Sequence, residues 1–461
     1  MNNAWVTLYN LLPPPFRSLA ASLRGFYLRS WRYGPETDKL VQEILERESW
    51  SARKWFTWRE ERLAFALHRA ATKVPYYRER WARRRALGDR VSWECLENWE
   101  ILEKDTVRQN PYAFIADDCN LKDMFHHHTS GTTGKPLNLW ERRETVRAWY
   151  AYFEARCRQW NGVSRRDRWA MLGGQLVVPV VQACPPFWVW NAALNQLYMS
   201  SYHLAPKFIS SYLDALIHYD IKYIYGYSSA LYSLAQEGLR LGRKDVALSA
   251  AITNAEPLYP FQRDVIQNFF QCRVQETYGM AEEVTAASQC EAGRLHLWPE
   301  VGWLEIMREN EIIKDGDSGD FICTGLLNLD MPLIRYRVGD RGALESVDKA
   351  CGCGRHMPVL ACVEGRTDDV LFSLDGRPIG RLDPVFKGDL PLKEAQIIQE
   401  NFNCVRVLLV PARVFSEKDR RSLIGRIQDR MGPIEVILEE VDQIKREKNG
   451  KFRAVISKVK R

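Results

Sequence analysis

From residue 165 onward, short apolar runs alternate with amphipathic helical patterns, and this alternation constrains the fold more than any other feature of the 461-residue chain. The runs 168–174 (RWAMLGG), 221–227 (IKYIYGY), 250–257 (AAITNAEP) and 273–279 (RVQETYG) have the length and content of buried strands. The first three run into Gly, Asn, Pro or another turn-former. Between them, 211–219 (SYLDALIHY) and 260–270 (PFQRDVIQNFF) read as amphipathic helices. Such alternation predicts an α/β fold of layered sheets and helices, with ligands at the strand ends. From 301–307 (VGWLEIM) through 319–326 (GDFICTGL) the strands come closer together, which predicts a β-rich subregion. After Gly365 short strands and two helices follow, including VRVLLVPA and RRSLIGRIQDRM, enough for a small α+β domain. The division expected is a large N-terminal domain, 1–365, and a small C-terminal one, 366–461.

Lys and Arg outnumber Asp and Glu by 65 to 58. That balance argues against a nucleic-acid partner and allows anionic ligands or membrane surfaces. Eleven dispersed cysteines, with no signal-peptide pattern, read as reduced thiols of a cytoplasmic protein. Near the N-terminus Phe16, Leu19, Ala20, Leu23, Phe26 and Tyr27 share one helical face, with Arg17, Arg24 and Arg29 off it. Two readings stand: a basic amphipathic helix in peripheral contact with anionic lipid, or one docked on the protein's own core. Leu63, Ala66, Leu67, Ala70 and Ala71 keep helical spacing up to Pro75, read as a stop.

The stretch HHHTSGTTGKPL, 126–137, combines histidines, hydroxyls, glycines and a lysine. A Walker loop needs four residues between its glycines and Ser or Thr after its lysine. Here two residues separate Gly131 from Gly134, and Pro136 follows Lys135, biasing the lysine away from helical geometry. The expectation is a turn between two strands. Its freed backbone N–H groups and the hydroxyls of Thr129, Ser130, Thr132 and Thr133 suit a triphosphate, and an ordinary polar hairpin is the alternative. Of the three histidines only His126 and His128 share a strand face, which is a poor start for a metal site. One histidine packed beside a nucleotide or acyl pocket is the other reading.

The company of this loop is informative. NAEP (254–257), ETYGMAEE (276–283), MPLIRYRVGD (331–340), CGCGR (351–355), GRTDD (365–369) and KNGKFRAV (448–455) follow it in order. Together with TSGTTGKP, these motifs resemble those of the acyl-adenylate-forming superfamily. Their wording is similar to the phenylacetate–CoA ligase family, and 187–204 (FWVWNAALNQLYMSSYHL) resembles its branch from capsule and exopolysaccharide gene clusters. VPYYRERW, 74–81, fits the same family.

The resemblance implies an AMP-forming carboxylate ligase that uses ATP and magnesium and hands the acyl group to coenzyme A. Two anions must then meet, so the site needs fixed positive charge, a metal and backbone donors. The implied roles are as follows. Thr129, Ser130, Gly131, Thr132, Thr133, Gly134 and Lys135 hold the β- and γ-phosphates. Glu256, Tyr278 and Gly279 frame the adenine. Glu282 is the magnesium ligand, a hard oxygen donor, against the bland reading of a solvated helix-start carboxylate. Asp340 accepts from both ribose hydroxyls, Arg366 braces the ribose or phosphate side, and Asp368 is the hinge of a mobile small domain. Lys451 neutralises the α-phosphate and the carboxylate as they meet. By analogy of position alone, Gly226, Tyr227 and Ser228, with residues around Pro179 to Trp188, mark the acid pocket. One departure is Ala281, where the superfamily commonly has threonine. The missing hydroxyl forfeits about 1 kcal/mol of hydrogen bonding.

Cys290, His296, Cys351 and Cys353 offer three thiolates and an imidazole, the set of a closed structural zinc site. Buried reduced cysteines are the alternative. Two rival functions stand beside the ligase: acyl transfer to an amine or hydroxyl, as on a saccharide, and a non-catalytic binding protein of the same fold. The identity of the acid and the oligomeric state are not legible in these patterns.

Overall fold

The computed structural model describes residues 8–129, 136–179, 181–256, 258, 260–309, 311–313, 316–346, 350–363, 371–376, 378–379, 383–386, 390–411, 413–442, 444 and 455–459. The expected α/β architecture is present. A hairpin of β1 (Phe125–His128) and β2 (Asn138–Glu141) precedes a sheet in which thirteen described strands pair. Its first half comprises β3 (Trp169–Gly173), β4 (Trp188–Asn191), β5 (Gln196–Ser200), β6 (Tyr223–Tyr227), β7 (Ala250–Asn254) and β8 (Arg273–Gly279). The order is β4-β5-β3-β6-β7-β8, all parallel except the edge strand β4. The helices Ile209–His218, Ser228–Arg240 and Pro260–Phe270 make the crossovers. Their apolar faces, including Leu213, Leu231 and Ile266, join Leu172, Ile224 and Ala251 in one buried core. Four of these strands and two of these helices lie where the apolar periodicity puts them.

The second half holds β9 (Ala286–Gln289), β10 (Leu295–Leu297), β11 (Gly302–Arg308), β12 (Glu311–Ile312), β13 (Gly319–Gly325), β14 (Tyr336–Leu344) and β15 (Val359–Val363). It forms the β-rich subregion that the closely spaced strands predict, and its pairings are antiparallel. The change of direction happens inside β8. Arg273–Glu276 pair parallel with β7, and Thr277–Gly279 pair antiparallel with β9.

Two expectations are corrected. Pro75 ends the helix Ala52–Lys73 but also starts the helix Pro75–Ala86, because a first-turn proline has no N–H to leave unpaired. In the C-terminal segment the described residues hold one α-helix, Glu417–Met431, rather than two; Asp383–Phe386 is a short 3₁₀ turn. That segment adds a two-stranded ladder, β16 (Leu371–Phe372) with β17 (Pro378–Ile379). Its four-stranded sheet has the order β20-β19-β18-β21, from β18 (Leu392–Asn401), β19 (Cys404–Pro411), β20 (Glu435–Glu440) and β21 (Val455–Ser457). A capping box between Ser416 and Asp419 starts the helix, and Leu423, Ile427 and Met431 close a core with Ile397, Val405 and Val407.

The N-terminal helix Pro14–Arg32 settles its two readings in an unexpected way. It is docked through Ser18, Ser22 and Gly25, with Arg17 and Trp31 also buried. Ser18 and Ser22 hydrogen-bond backbone groups of Trp190 and Ala192, and Gly25 lies against Asn191, where any Cβ would collide. The stripe of Phe16, Leu19, Leu23, Phe26 and Tyr27 faces outward.

Behind this layer, Glu48 joins three regions. It accepts hydrogen bonds from Trp160, from Arg355 and from Arg156, whose guanidinium is completely buried and also donates twice to Glu300.

Candidate active site

The site grows out of the strand that changes direction. In open parallel sheets, ligands bind beyond the carboxyl ends of the strands, where backbone groups lose their ladder partners. Here a cavity of about 1650 Å³ takes in the ends of β7 and β8 through Asn254, Ala255, Tyr278, Gly279, Met280 and Ala281. Ala255 holds a left-handed backbone (φ 62°), which costs a residue with a Cβ about 1 kcal/mol and turns the chain sharply at the cavity edge. The buried side-chain oxygen of Asn254 has no hydrogen-bond partner among the described residues.

Tyr278 leans on Phe321 edge to face and donates its hydroxyl to Asp340 at 2.8 Å. Asp340 comes from β14, which also carries Tyr336. Tyr336 donates to Glu282 at 2.9 Å, and Lys104 donates to the same oxygen, Oε1, at 2.7 Å. Glu282 is buried. Burial alone would raise its carboxyl pKa, but the Lys104 charge and the two hydrogen bonds hold it below the ordinary carboxylate value. So two strands bring Tyr278, Asp340, Tyr336 and Glu282 together, and the carboxylate of Glu282 is kept ionised where a magnesium ligand is expected.

The neighbouring Glu283 behaves oppositely. Burial and the adjacent Glu141 carboxyl push its pKa well above the ordinary value. Glu141 in turn is 2.9 Å from His127 Nε2. His126 stacks on Trp140. The three histidines therefore split between surface packing and a carboxylate contact, and the single metal-type cluster among the described residues contains none of them.

The hairpin itself is as expected: His128 pairs with Asn138, and Thr129 closes the turn through its N–H to Leu137 O and its Oγ1 from Leu137 N–H, both at 3.0 Å. Ser130, Gly131, Thr132, Thr133, Gly134 and Lys135 lie outside the described residues, as do Arg366, Asp368 and Lys451. Glu256 sits at the end of β7, but its carboxylate accepts from Ser229 N–H at 3.0 Å, at the start of the helix Ser228–Arg240. Its side chain thus serves that helix N-terminus, an ordinary place for a carboxylate. Gly226, Tyr227 and Ser228 lie off the cavity lining. Gly226 is there because a Cβ would meet the Leu172 carbonyl of β3 at 2.4 Å. The cavity is lined from the same sheet by Met171, Tyr198 and Tyr225, and by Val177, Val178 and Pro179 from the segment after β3.

Sequence reasoning missed Lys104 and Tyr336, the partners of Glu282. Lys104 is 178 residues away and carries no local signal, whereas Tyr336 sits in the quoted MPLIRYRVGD stretch and was passed over. It also missed the cavity's charge. Arg24, Arg29, Arg32, Arg158, Arg165, Arg166 and Arg430 line it, against Asp429 as the single acid among the described lining residues.

Cys290, His296, Cys351 and Cys353 converge, with all ligating atoms within 4.8 Å of one another. Cys290 Sγ and Cys351 Sγ are 3.7 Å apart, and Cys353 Sγ is 3.3 Å from His296 Nε2. A tetrahedron with metal–sulfur bonds of about 2.3 Å has edges of about 3.8 Å, so the set is at ligating size. His296 Nδ1 bonds Met357 O at 3.1 Å, which leaves Nε2 with its lone pair toward the thiols. Burial lowers the imidazole pKa to about 4, keeping it neutral, and pushes the Cys290 thiol up to about 12. Cys290 would ionise readily only with a cation beside it.

The fold matches that of a solved acyl-CoA ligase. A crystal structure of 2-hydroxyisobutyryl-CoA ligase in complex with 2-HIB-AMP and CoA in the thioesterification state superposes with a TM-score of 0.57 at 19% identity, covering 89% of this chain and 91% of that one. The same ligase in the postadenylation state gives 0.54. The chain is a homologue of protein CapK of Staphylococcus aureus, 22% identical over 91% of each chain. It is likewise a homologue of the phenylacetate-coenzyme A ligase of Pseudomonas putida, 25% identical over 68% of this chain and 70% of that one. Residues 371–458 match the family model of the CapK C-terminal domain.

Lys104 provides a test of the electrostatics. Lys104→Met should cost about 2–3 kcal/mol at neutral pH, somewhat below the usual 3–5 for breaking a buried pair because Lys104 is partly exposed. Glu282 has a lowered folded pKa, so its stabilisation exists above the unfolded value and is lost as pH falls through the folded one. Urea unfolding should therefore show the gap between wild type and variant narrowing in acid. A gap independent of pH would assign Lys104 a packing role only.

Proposed function

We propose that this chain is an ATP-dependent, AMP-forming carboxylate ligase that passes its acyl group to coenzyme A. One observation carries the reading: just after β8, whose Tyr278 lines an arginine-rich cavity and donates to Asp340 of β14, a buried Glu282 is held ionised by Lys104 and by Tyr336 of the same strand. Carboxylate, ATP and coenzyme A are all anions, and Arg24, Arg29, Arg32 and Arg430 add positive charge to the cavity beyond Arg158, Arg165 and Arg166, which pair with Glu154 and Asp38.

In the first step a carboxylate oxygen attacks the α-phosphorus of ATP, the bond to pyrophosphate breaks, and acyl-AMP forms. Asp340 accepts from the ribose hydroxyls, and the Tyr278 ring, steered by its bond to Asp340, lies against the base. Thr129 to Lys135 hold the outer phosphates, and Arg366 braces the ribose or phosphate side. Glu282 would hold the magnesium, which when bound would supply charge neutralisation on the phosphates. In the second step the thiol sulfur attacks the acyl carbon and AMP departs. Lys451 belongs to the first step alone, if the small domain 366–461 turns about Asp368 between steps. The family match over 371–458 supports the division, and the core of that segment is closed from the large domain by Tyr202 and Leu176.

A second reading keeps the adenylation and changes the acceptor to an amine or hydroxyl on a saccharide. Likeness to CapK along nine-tenths of the chain favours it. Single-turnover reactions of preformed acyl-adenylate with coenzyme A or with amino sugars separate the two acceptors.

The half-reactions are separable through Lys451. Lys451→Ala should lower carboxylate-dependent pyrophosphate exchange about a hundredfold, the usual cost of losing one preorganised charge contact. The variant should still turn over a supplied acyl-adenylate at near wild-type rate; equal loss of both steps would rule out domain alternation. Asp340→Ala should weaken ATP binding at least tenfold by calorimetry, since two ribose hydroxyls and Tyr278 lose their acceptor.

The thiol–imidazole cluster is assigned to one structural zinc, with no position left open for chemistry. Protein purified without chelator should contain about one equivalent, and stripping it should lower the melting temperature. Metal-free protein of unchanged stability would overturn the assignment.

A further inference from the structure

The helix Pro14–Arg32 turns its large apolar side chains to solvent. Leu19 is 55% exposed, Leu23 63% and Phe26 57%, with Phe16 and Tyr27 beside them in the same stripe. Leu8 and Leu11, just before the helix, extend the patch. An apolar stripe of this length is unusual on a protein surface and marks a site of association. The helix cannot roll to hide it. Its opposite side is fixed to the edge strand β4 by Ser18, Ser22 and the close approach at Gly25, and Arg17 donates to Gln182 at 2.6 Å.

We infer that this helix docks on an anionic lipid surface. Charge selects that occupant. The first 35 residues contain four arginines and no acidic residue. Of the four, Arg17 is buried and Arg32 turns toward the cavity, whereas Arg24 and Arg29, which also line the cavity, are exposed beside the stripe; Arg143 approaches the helix end through the Trp31 ring and Ser30 O. An interfacial helix needs this pairing of an apolar face with a cationic border. A second copy of the chain is a poor occupant, because stripe-to-stripe packing would bring two sets of these arginines together. The helix lies on the surface and does not span it, since no described helix is long and apolar enough to cross a membrane. Ala20, Ala21 and Leu28 of the same helix line the large cavity, so the bilayer would lie about 10 Å, one helix diameter, from that wall. The inference is independent of the reaction proposed above.

The test is co-sedimentation of the full chain with phosphatidylcholine vesicles, with and without one third phosphatidylglycerol. The wild type should bind the anionic vesicles more than tenfold more tightly than the neutral ones and be released by high salt. The combined variant Leu19→Glu, Leu23→Glu, Phe26→Glu should lose more than tenfold in vesicle binding, with an unchanged circular dichroism spectrum. If that variant does not fold, Leu23→Asp alone should still lose several-fold. No vesicle binding by the wild type, equal binding of both lipids, or equal binding by the variants would overturn the inference. So would a wild-type dimer in light scattering that the same substitutions dissolve, since a second copy would then cover the stripe.

Discussion

Everything at the candidate active site depends on one strand making two kinds of ladder. The first four residues of β8 pair parallel with β7, and its last three pair antiparallel with β9. A strand can do this because the backbone offers hydrogen-bonding groups on both edges, and each edge accepts either direction. The consequence is geometric. A layered parallel sheet with helical crossovers and a hairpin-built antiparallel sheet become one surface. The chain leaves β8 at the seam, so Tyr278 reaches Asp340 of β14 and Glu282 reaches Tyr336 of the same strand.

The electrostatics around that seam divide adjacent carboxylates by their company. Glu282 and Glu283 are neighbours in sequence and equally buried, at 8% exposure each. Glu282 has Lys104 and a tyrosine hydroxyl and stays ionised, while burial and Glu141 push the Glu283 pKa well above the ordinary value. The first is suited to a cation. A buried charge persists only where partners offset its desolvation, and here that condition selects between two identical side chains. The same rule governs Arg156, which is tolerable with no exposure because Glu300 and Glu48 both face it.

Docking of the N-terminal helix inverts a common pattern. Amphipathic helices usually turn their large apolar residues inward. Here Ser18, Ser22 and Gly25 meet the edge strand β4, where backbone groups of Trp190 and Ala192 satisfy the serines and the Asn191 side chain lies against Gly25, and Arg17 and Trp31 are buried as well. The large residues of the stripe are left outside, with arginines around them and no acid among the first 35 residues.

Much of the architecture was legible in local pattern. Strands β3, β6 and β7 show themselves by apolar runs that end in turn-formers, because burial on both faces leaves few residue types admissible. Spacing alone placed the 126–137 loop in a hairpin, since Pro136 and the short glycine interval rule out a helix-opening phosphate loop. The four metal-type ligands were also found from residue type, although only folding brings Cys290 and His296 within reach of Cys351 and Cys353. What tertiary structure alone decided are the pairings across long chain separations. Lys104 has no marker in its own neighbourhood, and nothing local says that Glu256 will serve a helix end. Nor does periodicity say which side of an amphipathic helix faces in. Periodicity reports that a helix has two unlike sides; which one is buried depends on the shape and hydrogen bonding of the surface it meets.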